Sequence, residues 1–196
     1  MYKLGKLPAK HDLRTLCFEN YYTFPDPPAE RIWSSKVNDY GMMRNDEIGD
    51  CAIAGPGHLI QTWTANADKE IVLSDDEIVE TYSIISGYDP KTGNNDNGCA
   101  LLDVLKQWRN VGIAGHKIGA FMSVNPRNIQ MIKVAINLFG GVLNGIALPI
   151  SAQGQEFWYI TQSFNGDGQP GSWGGHCTIS PDYNDKENIN ITWGQH

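Results

Sequence analysis

The chain has 196 residues, 41% of them hydrophobic and 19% charged, which suits one soluble globular domain with room for two lobes. Its net charge of −7, with no Lys/Arg stripe, argues against nucleic acid as a partner. The longest apolar stretches, near Val142–Ile150, are too short to span a bilayer and are interrupted by Asn144, so no membrane partner is expected.

Residues 1–40 read as a tethered arm. Pro25, Pro27 and Pro28 discourage regular structure, while Tyr21, Tyr22, Phe24 and Trp33 offer anchors. The start, Met1-Tyr2-Lys3-Leu4-Gly5-Lys6, lacks the apolar core of a secretion signal. A helical region follows, over about 41–120. A first helix is expected from Cys51 toward Trp63, with Pro56 kinking it or ending it early. Ser74-Asp75-Asp76-Glu77 is a capping box that opens a second helix, lined by Ile78, Tyr82 and Ile85 and stopped by Gly87. Leu101, Leu105 and Trp108 mark a third, ended by Gly112. From about 121 to 196 the pattern turns mainly to strands, after one more helix. Asn125-Pro126 is expected to open that helix, with Ile129, Ile132, Ile136 and Phe139 as its stripe. Val142–Leu148, Phe157–Thr161, His176–Ser180 and Ile189–Trp193 read as strands. Helices first and strands later imply an α+β protein.

Two segments carry chemistry. In Asn45-Asp46-Glu47-Ile48-Gly49-Asp50-Cys51-Ala52, a cysteine opens a helix, where free N–H groups and the positive helix end favour a thiolate and an oxyanion. Asn45 carries an amide that adds a donor. In Ser172-Trp173-Gly174-Gly175-His176-Cys177, a histidine opens a strand 125 residues after Cys51. A thiol beside such a base is an activated nucleophile. The competing reading of Cys51 is a buried packing cysteine. Cys177 follows His176 directly, so on a strand it faces the opposite side and packs. His58 lies seven residues after Cys51 on the same helix, about 10 Å along the axis at roughly 1.5 Å per residue, and is a packing residue. The cysteines at 17, 51, 99 and 177 form no metal-type pair and read as reduced thiols of a cytoplasmic protein. No zinc spacing, EF-hand loop or phosphate-cradling glycine motif occurs, so neither metal nor cofactor is expected.

These pieces resemble the papain-like cysteine peptidases. The matching stretches are Asn45…Gly49-Asp50-Cys51, Leu73-Ser74, Asn97-Gly98 before Leu101-Leu102, Gly141-Val142…Gly145-Ile146, Gly175-His176…Tyr183 and Thr192-Trp193-Gly194. The chain is also similar to an uncharacterised group of bacterial and phage proteins sharing the Gly-Asp-Cys, Trp-Gly-Gly-His and Thr-Trp-Gly-Gln stretches. The resemblance implies an α+β fold with a helical lobe, an antiparallel β lobe and a cleft between them. It implies a peptide or protein substrate, Cys51 as nucleophile, His176 as general base and then acid, and Asn45 in the oxyanion hole. It implies substrate contacts at Gly98, Val142 and Gly175, with Trp193 shielding the histidine's hydrogen bond.

The sequence departs from that family in several places. Ile191 stands where the orienting asparagine belongs. Either a register shift brings in Thr192, or the site works as a Cys–His dyad. Ala52 replaces the usual aromatic, and Ile48 removes the partner Cys99 would need for a familiar disulfide. The residues before Cys51 are too few for a long inhibitory prosegment, and the usual strands after Trp193 are missing, from a reduced lobe or a truncated chain. The expected activity is cleavage of peptide or isopeptide bonds. The alternatives are a papain-fold binding or structural protein without hydrolysis, in host cytoplasm or virion if phage-encoded, and a cell-wall amidase.

Overall fold

The computed structural model describes residues 2–21, 23, 25–159 and 164–195. Four helices form: α1 (Cys51–Asn66), α2 (Asp75–Ser86), α3 (Leu101–Asn110) and α4 (Ile129–Phe139). The strands are β1 (Arg31–Ile32), β2 (Val142–Leu148), β3 (Gly174–Tyr183) and β4 (Asn188–Ile191), and β3 pairs antiparallel with each of the others. Helices α1–α3 make the helical lobe, and the antiparallel sheet with α4 makes the β lobe, so the α+β expectation holds.

Local chemistry explains most boundaries. The Ser74–Glu77 capping box forms, and Gly87 closes α2 at φ 78°. Gly140 closes α4 in the same left-handed way, at φ 73°. Pro56 neither ends nor breaks α1, which runs on for ten residues to Asn66. The proline and its neighbours Gly55 and Gly57 are buried. A β-carbon on Gly55 would stand 3.0 Å from Leu143 Cδ1 and 3.1 Å from Cys177 Sγ. The helix thus packs closely on the sheet at this point, and that packing offsets a proline cost of about 3 kcal/mol.

Two expected elements move. α4 is capped by Asn128, whose side chain accepts from the Met131 N–H, and not by Asn125. Asn125-Pro126 instead forms a turn, with the Arg127 N–H on Asn125 Oδ1 (3.0 Å) and the Asn128 N–H on Asn125 O (2.9 Å). No strand covers residues 157–159, where Phe157 and Tyr159 are exposed, and Ile160 and Thr161 lie outside the described residues.

The main core crosses both lobes. Ile53 and Ala54 of α1, Ile78 and Tyr82 of α2, Val104 and Trp108 of α3, and Cys177 and Ile179 of β3 form one buried cluster. This packing sets the first turn of α1 against the first half of β3. The cleft between the lobes opens there.

Candidate active site

Cys51 is the first residue of α1 and is buried. The first intrahelical bond runs from the Ile53 N–H to Asp50 O (2.7 Å), so the N–H groups of Cys51 and Ala52 precede the helical ladder. Backbone N–H groups of Cys177, Gly5 and Ala52 face the thiol. Burial nevertheless pushes the thiol up to about 12, and the neighbouring Asp50 adds to the rise.

His176, on β3, is fully buried. Its Nε2 lies 2.6 Å from Thr192 Oγ1. Its Nδ1 has no hydrogen-bond partner among the described residues. Burial lowers the imidazole to about 3, so it rests neutral. Trp193 stacks on the ring at 4.3 Å, and Trp158 approaches edge-on at 6.2 Å. The thiol meets the backbone of Cys177, the residue after His176.

The two readings left open at residue 191 come out as follows. Ile191 is buried in the core, and Asn190 bonds Asn144, Thr178 and Ser180 across the sheet. Beyond β4 the chain folds into a two-residue turn, Thr192 pairing with Gln195 in both directions at 2.9 and 2.8 Å. Trp193 (φ 48°) and Gly194 (φ 71°) occupy its centre, the geometry of a type I′ turn. This turn aims the Thr192 hydroxyl at the imidazole and lays Trp193 over it.

Asn45 is buried beside the helix start, but its Nδ2 donates to Asp50 Oδ1 at 3.1 Å. Burial raises the Asp50 carboxyl well above the usual range, with the Asn45 hydrogen bond acting against that rise. The Gly98 N–H is taken by the Tyr82 hydroxyl (2.9 Å), which leaves backbone pairing in the cleft to Cys99. Val142 lies away from the cleft, against the cluster of Phe18, Val134 and Ala135. It pairs with Ser180, and the residue opposite His176 is Ile146, four positions further along β2. Gly145, on that nearer stretch, lies against Leu101 and the Lys6 stem. Gly175 lies on β3 beside His176 and accepts the Lys6 N–H, and Trp193 stacks on the imidazole.

The segment missed by sequence reasoning is the arm itself. Residues 2–7 run through the cleft and pair with both walls. The Lys6 N–H donates to Gly175 O (3.0 Å), the Cys99 N–H to Gly5 O (2.8 Å) and the Leu7 N–H to Cys99 O (2.9 Å). Gly5 lies over Cys51, and a methyl group there would stand 1.7 Å from Gly49 O. A β-carbon on Gly98 or Gly175 would in turn come within 1.9 Å of Gly5 O or 2.1 Å of Lys6 O. Three glycines therefore permit the close approach. Tyr2 stacks on the outer face of Trp193 at 4.4 Å. Lys3 pairs with Asp96 Oδ2 (2.6 Å), whose Oδ1 accepts from the Gly49 N–H (2.8 Å) and the Tyr82 hydroxyl (2.7 Å). Six residues thus cover the site without any long prosegment. The one available signal was Gly5 itself, the sole glycine before Gly41.

No protein-family model matches the chain, and no curated protein does. Among solved structures, it is similar to xylellain, a cysteine protease from Xylella fastidiosa. That match has a TM-score of 0.69 and 14% identity, and covers 94% of this chain and 81% of the other. A structure from work on the mite allergens Blo t 1 and Der p 1 aligns with a TM-score of 0.49 and 12% identity, covering 95% of this chain and 63% of the other. The arrangement of a helical lobe, an antiparallel β lobe and a cleft at the start of α1 is the papain-like fold, and this chain has it.

Proposed function

We propose that this protein is a cysteine peptidase or amidase that cleaves peptide or isopeptide bonds, and that it is held latent by its own N-terminal arm. One observation carries the reading. A histidine held at Nε2 by a hydroxyl keeps its other nitrogen free, at the end of the cleft where a helix presents a thiol. That is the arrangement a base and a nucleophile need.

With the arm withdrawn, both groups meet solvent and the desolvation that keeps them neutral falls away. His176 then takes the Cys51 proton, and the thiolate attacks the carbonyl carbon. The oxyanion is held by the Cys51 N–H, with the second Asn45 amide hydrogen as a further donor. His176 returns the proton to the leaving nitrogen as the C–N bond breaks. Water, deprotonated by His176, attacks the thioester, and the proton goes back to the departing thiol. Thr192 orients the imidazole, and Trp193 shields that bond. The substrate is a peptide or protein lying along Cys99 and Gly175, where the arm now lies. All four cysteines are free, which fits a reducing compartment such as a cytoplasm. No described helix is long and apolar enough to cross a membrane.

The full chain carrying Gly5→Val tests this, because a valine there cannot fit against Gly49. It is expected to cleave an unfolded protein such as reduced casein, and Cys51→Ala or His176→Ala in the same chain is expected to abolish cleavage. Cleavage that survives Cys51→Ala rules the mechanism out. The second reading, a binding protein without hydrolysis, is favoured by the Asn45–Asp50 bond, which turns the amide toward the carboxyl. It predicts no turnover even with the arm displaced.

A further inference from the structure

Strands β3 and β4 meet in two registers, and the seam lies beside the residue that holds the imidazole. Near their connection, Tyr183 faces Asn188 and Asp182 faces Ile189. Further along, Ile179 faces Ile191, so three steps of β3 span two of β4. The extra residue makes a β-bulge at Ser180-Pro181. Pro181 is its cause in the sequence: it has no N–H for the ladder, and within sheets proline is confined to edges, strand starts and bulges. The bulge decides which residue meets the histidine. Carried on unbroken, the first register would set Thr192 opposite Ile179 and turn Ile191 to the face of His176. With the bulge, Ile191 joins Ile179 in the main core, and Thr192, next in the chain, turns to the other face. There its Oγ1 reaches His176 Nε2 at 2.6 Å.

A polar clamp closes the seam. Asn190 Oδ1 receives three donors: Ser180 Oγ at 2.8 Å, Asn144 Nδ2 at 3.0 Å and Thr178 Oγ1 at 3.1 Å. Asn144 Nδ2 also lies 2.7 Å from Ser180 Oγ. The clamp thus ties β2, β3 and β4 together at the bulge, and Thr178 and Ser180 are buried. A slip of β4 by one residue would carry the Asn190 side chain to the opposite face and leave buried donors without their acceptor. We propose that Asn190 is a positioning residue for the reaction: it locks β4 in its shifted register and so sets Thr192, and not Ile191, against His176. Its bearing on turnover rests on the peptidase reading; its hold on the imidazole does not.

Two measurements on the full chain test this. The first needs no turnover: the imidazole nitrogen resonances of His176 are followed by NMR. Asn190→Leu removes the acceptor and is expected to move the Nε2 signal to where Thr192→Val puts it. Asn190→Asp keeps an acceptor at the same place and is expected to leave the signal near its original position. Should Asn190→Leu fail to fold, Thr178→Val with Ser180→Ala withdraws two of the three donors and is expected to shift the signal the same way. The second measurement is a double-mutant cycle on casein cleavage in the Gly5→Val chain. Asn190→Leu is expected to lower kcat roughly fivefold with KM nearly unchanged, as Thr192→Val does, and the two together to lower it no further. An additive loss of about twenty-fivefold would show that Asn190 does not act through Thr192 and overturns the proposal. An unmoved Nε2 signal in a folded Asn190→Leu chain, or in the folded donor variant, overturns it as well. A moved Nε2 signal without cleavage by any chain removes the peptidase and leaves Asn190 as the residue that positions the ring's partner.

Discussion

Thr192 Oγ1 and His176 Nε2 lie 2.6 Å apart, and a type I′ turn just beyond the last strand makes the contact. A hydroxyl holds the ring by one neutral hydrogen bond, worth about 1 kcal/mol net. In the Gly5→Val chain, Thr192→Val is therefore expected to lower kcat/KM roughly fivefold with KM nearly unchanged, and Thr192→Ser to retain most activity. Steady-state kinetics decide it. A Thr192→Val enzyme with undiminished kcat would mean that the imidazole is held by the Trp193 stack alone.

Reactivity of the thiol should follow the arm. In the unaltered chain Cys51 sits near 12 and His176 near 3, so no thiolate–imidazolium pair exists at neutral pH. Iodoacetamide should label Cys51 slowly at pH 6–8, with a rate that climbs only on the alkaline side. The Gly5→Val chain should label at least about tenfold faster at pH 7, with a new inflection below pH 7. Peptide mapping of the alkylated chain separates Cys51 from Cys99 and Cys177, both also raised by burial. Equal rates in the two chains would show that the arm does not control the thiol.

Stability should fall on acidification, and two histidines set the window. His176 and His58 are buried and neutral, lowered from 6.5 to about 3 and about 4. The unfolded chain binds these protons first, so their contribution to folding is intact above pH 6.5. It is lost progressively as pH falls toward the folded values. Asp96 acts lower. Burial opposes its charge, but Lys3, Tyr82 and the Gly49 N–H outweigh that and hold it below 3.8. Its tie to the arm is thus lost at still more acid pH. Urea midpoints between pH 8 and pH 4 check the first effect; a midpoint that does not move below pH 6.5 contradicts it.

The turn that carries Thr192 leaves no room for a side chain at its second central residue. Gly194 has φ 71°, and a β-carbon there would lie 2.5 Å from Gly41 O. Gly194→Ala is expected to cost about 1–3 kcal/mol from the conformation and the clash together. Denaturant midpoints at constant slope measure it. Activity in the Gly5→Val background should fall as well, since the same turn orients the imidazole's partner.

Much of this protein is written in local pattern. The capping box at Ser74, the glycine stops at Gly87 and Gly140, and the thiol at the mouth of α1 need only neighbours in sequence to be recognised. Pro56 misleads because the sheet surface that packs against the adjoining Gly55 is more than 80 residues away. Val142 misleads through register: it lies on the right strand, four residues from the one opposite His176. Asn45 was legible as a nearby donor, but its bond to Asp50 depends on the burial of that acid, which no periodicity reveals. The arm is hardest to read. Its fit depends on Gly5, Gly98 and Gly175 meeting across the cleft, and strand or helix patterns say nothing of a single extended segment lying between two walls.

The arm is joined to the body by the chain that follows it, and that chain docks again at the Cys17–Ser123 bridge and at β1. Occlusion is therefore a first-order event. Dilution cannot relieve it, and a free peptide must compete with a tethered rival whose local concentration is on the order of millimolar. A substrate of ordinary affinity does not win that contest by abundance. On the proposed peptidase function, turnover begins with an event that acts on the arm, such as a cut behind residue 7 or a partner that captures Tyr2–Leu7, and the rate of that event sets the output.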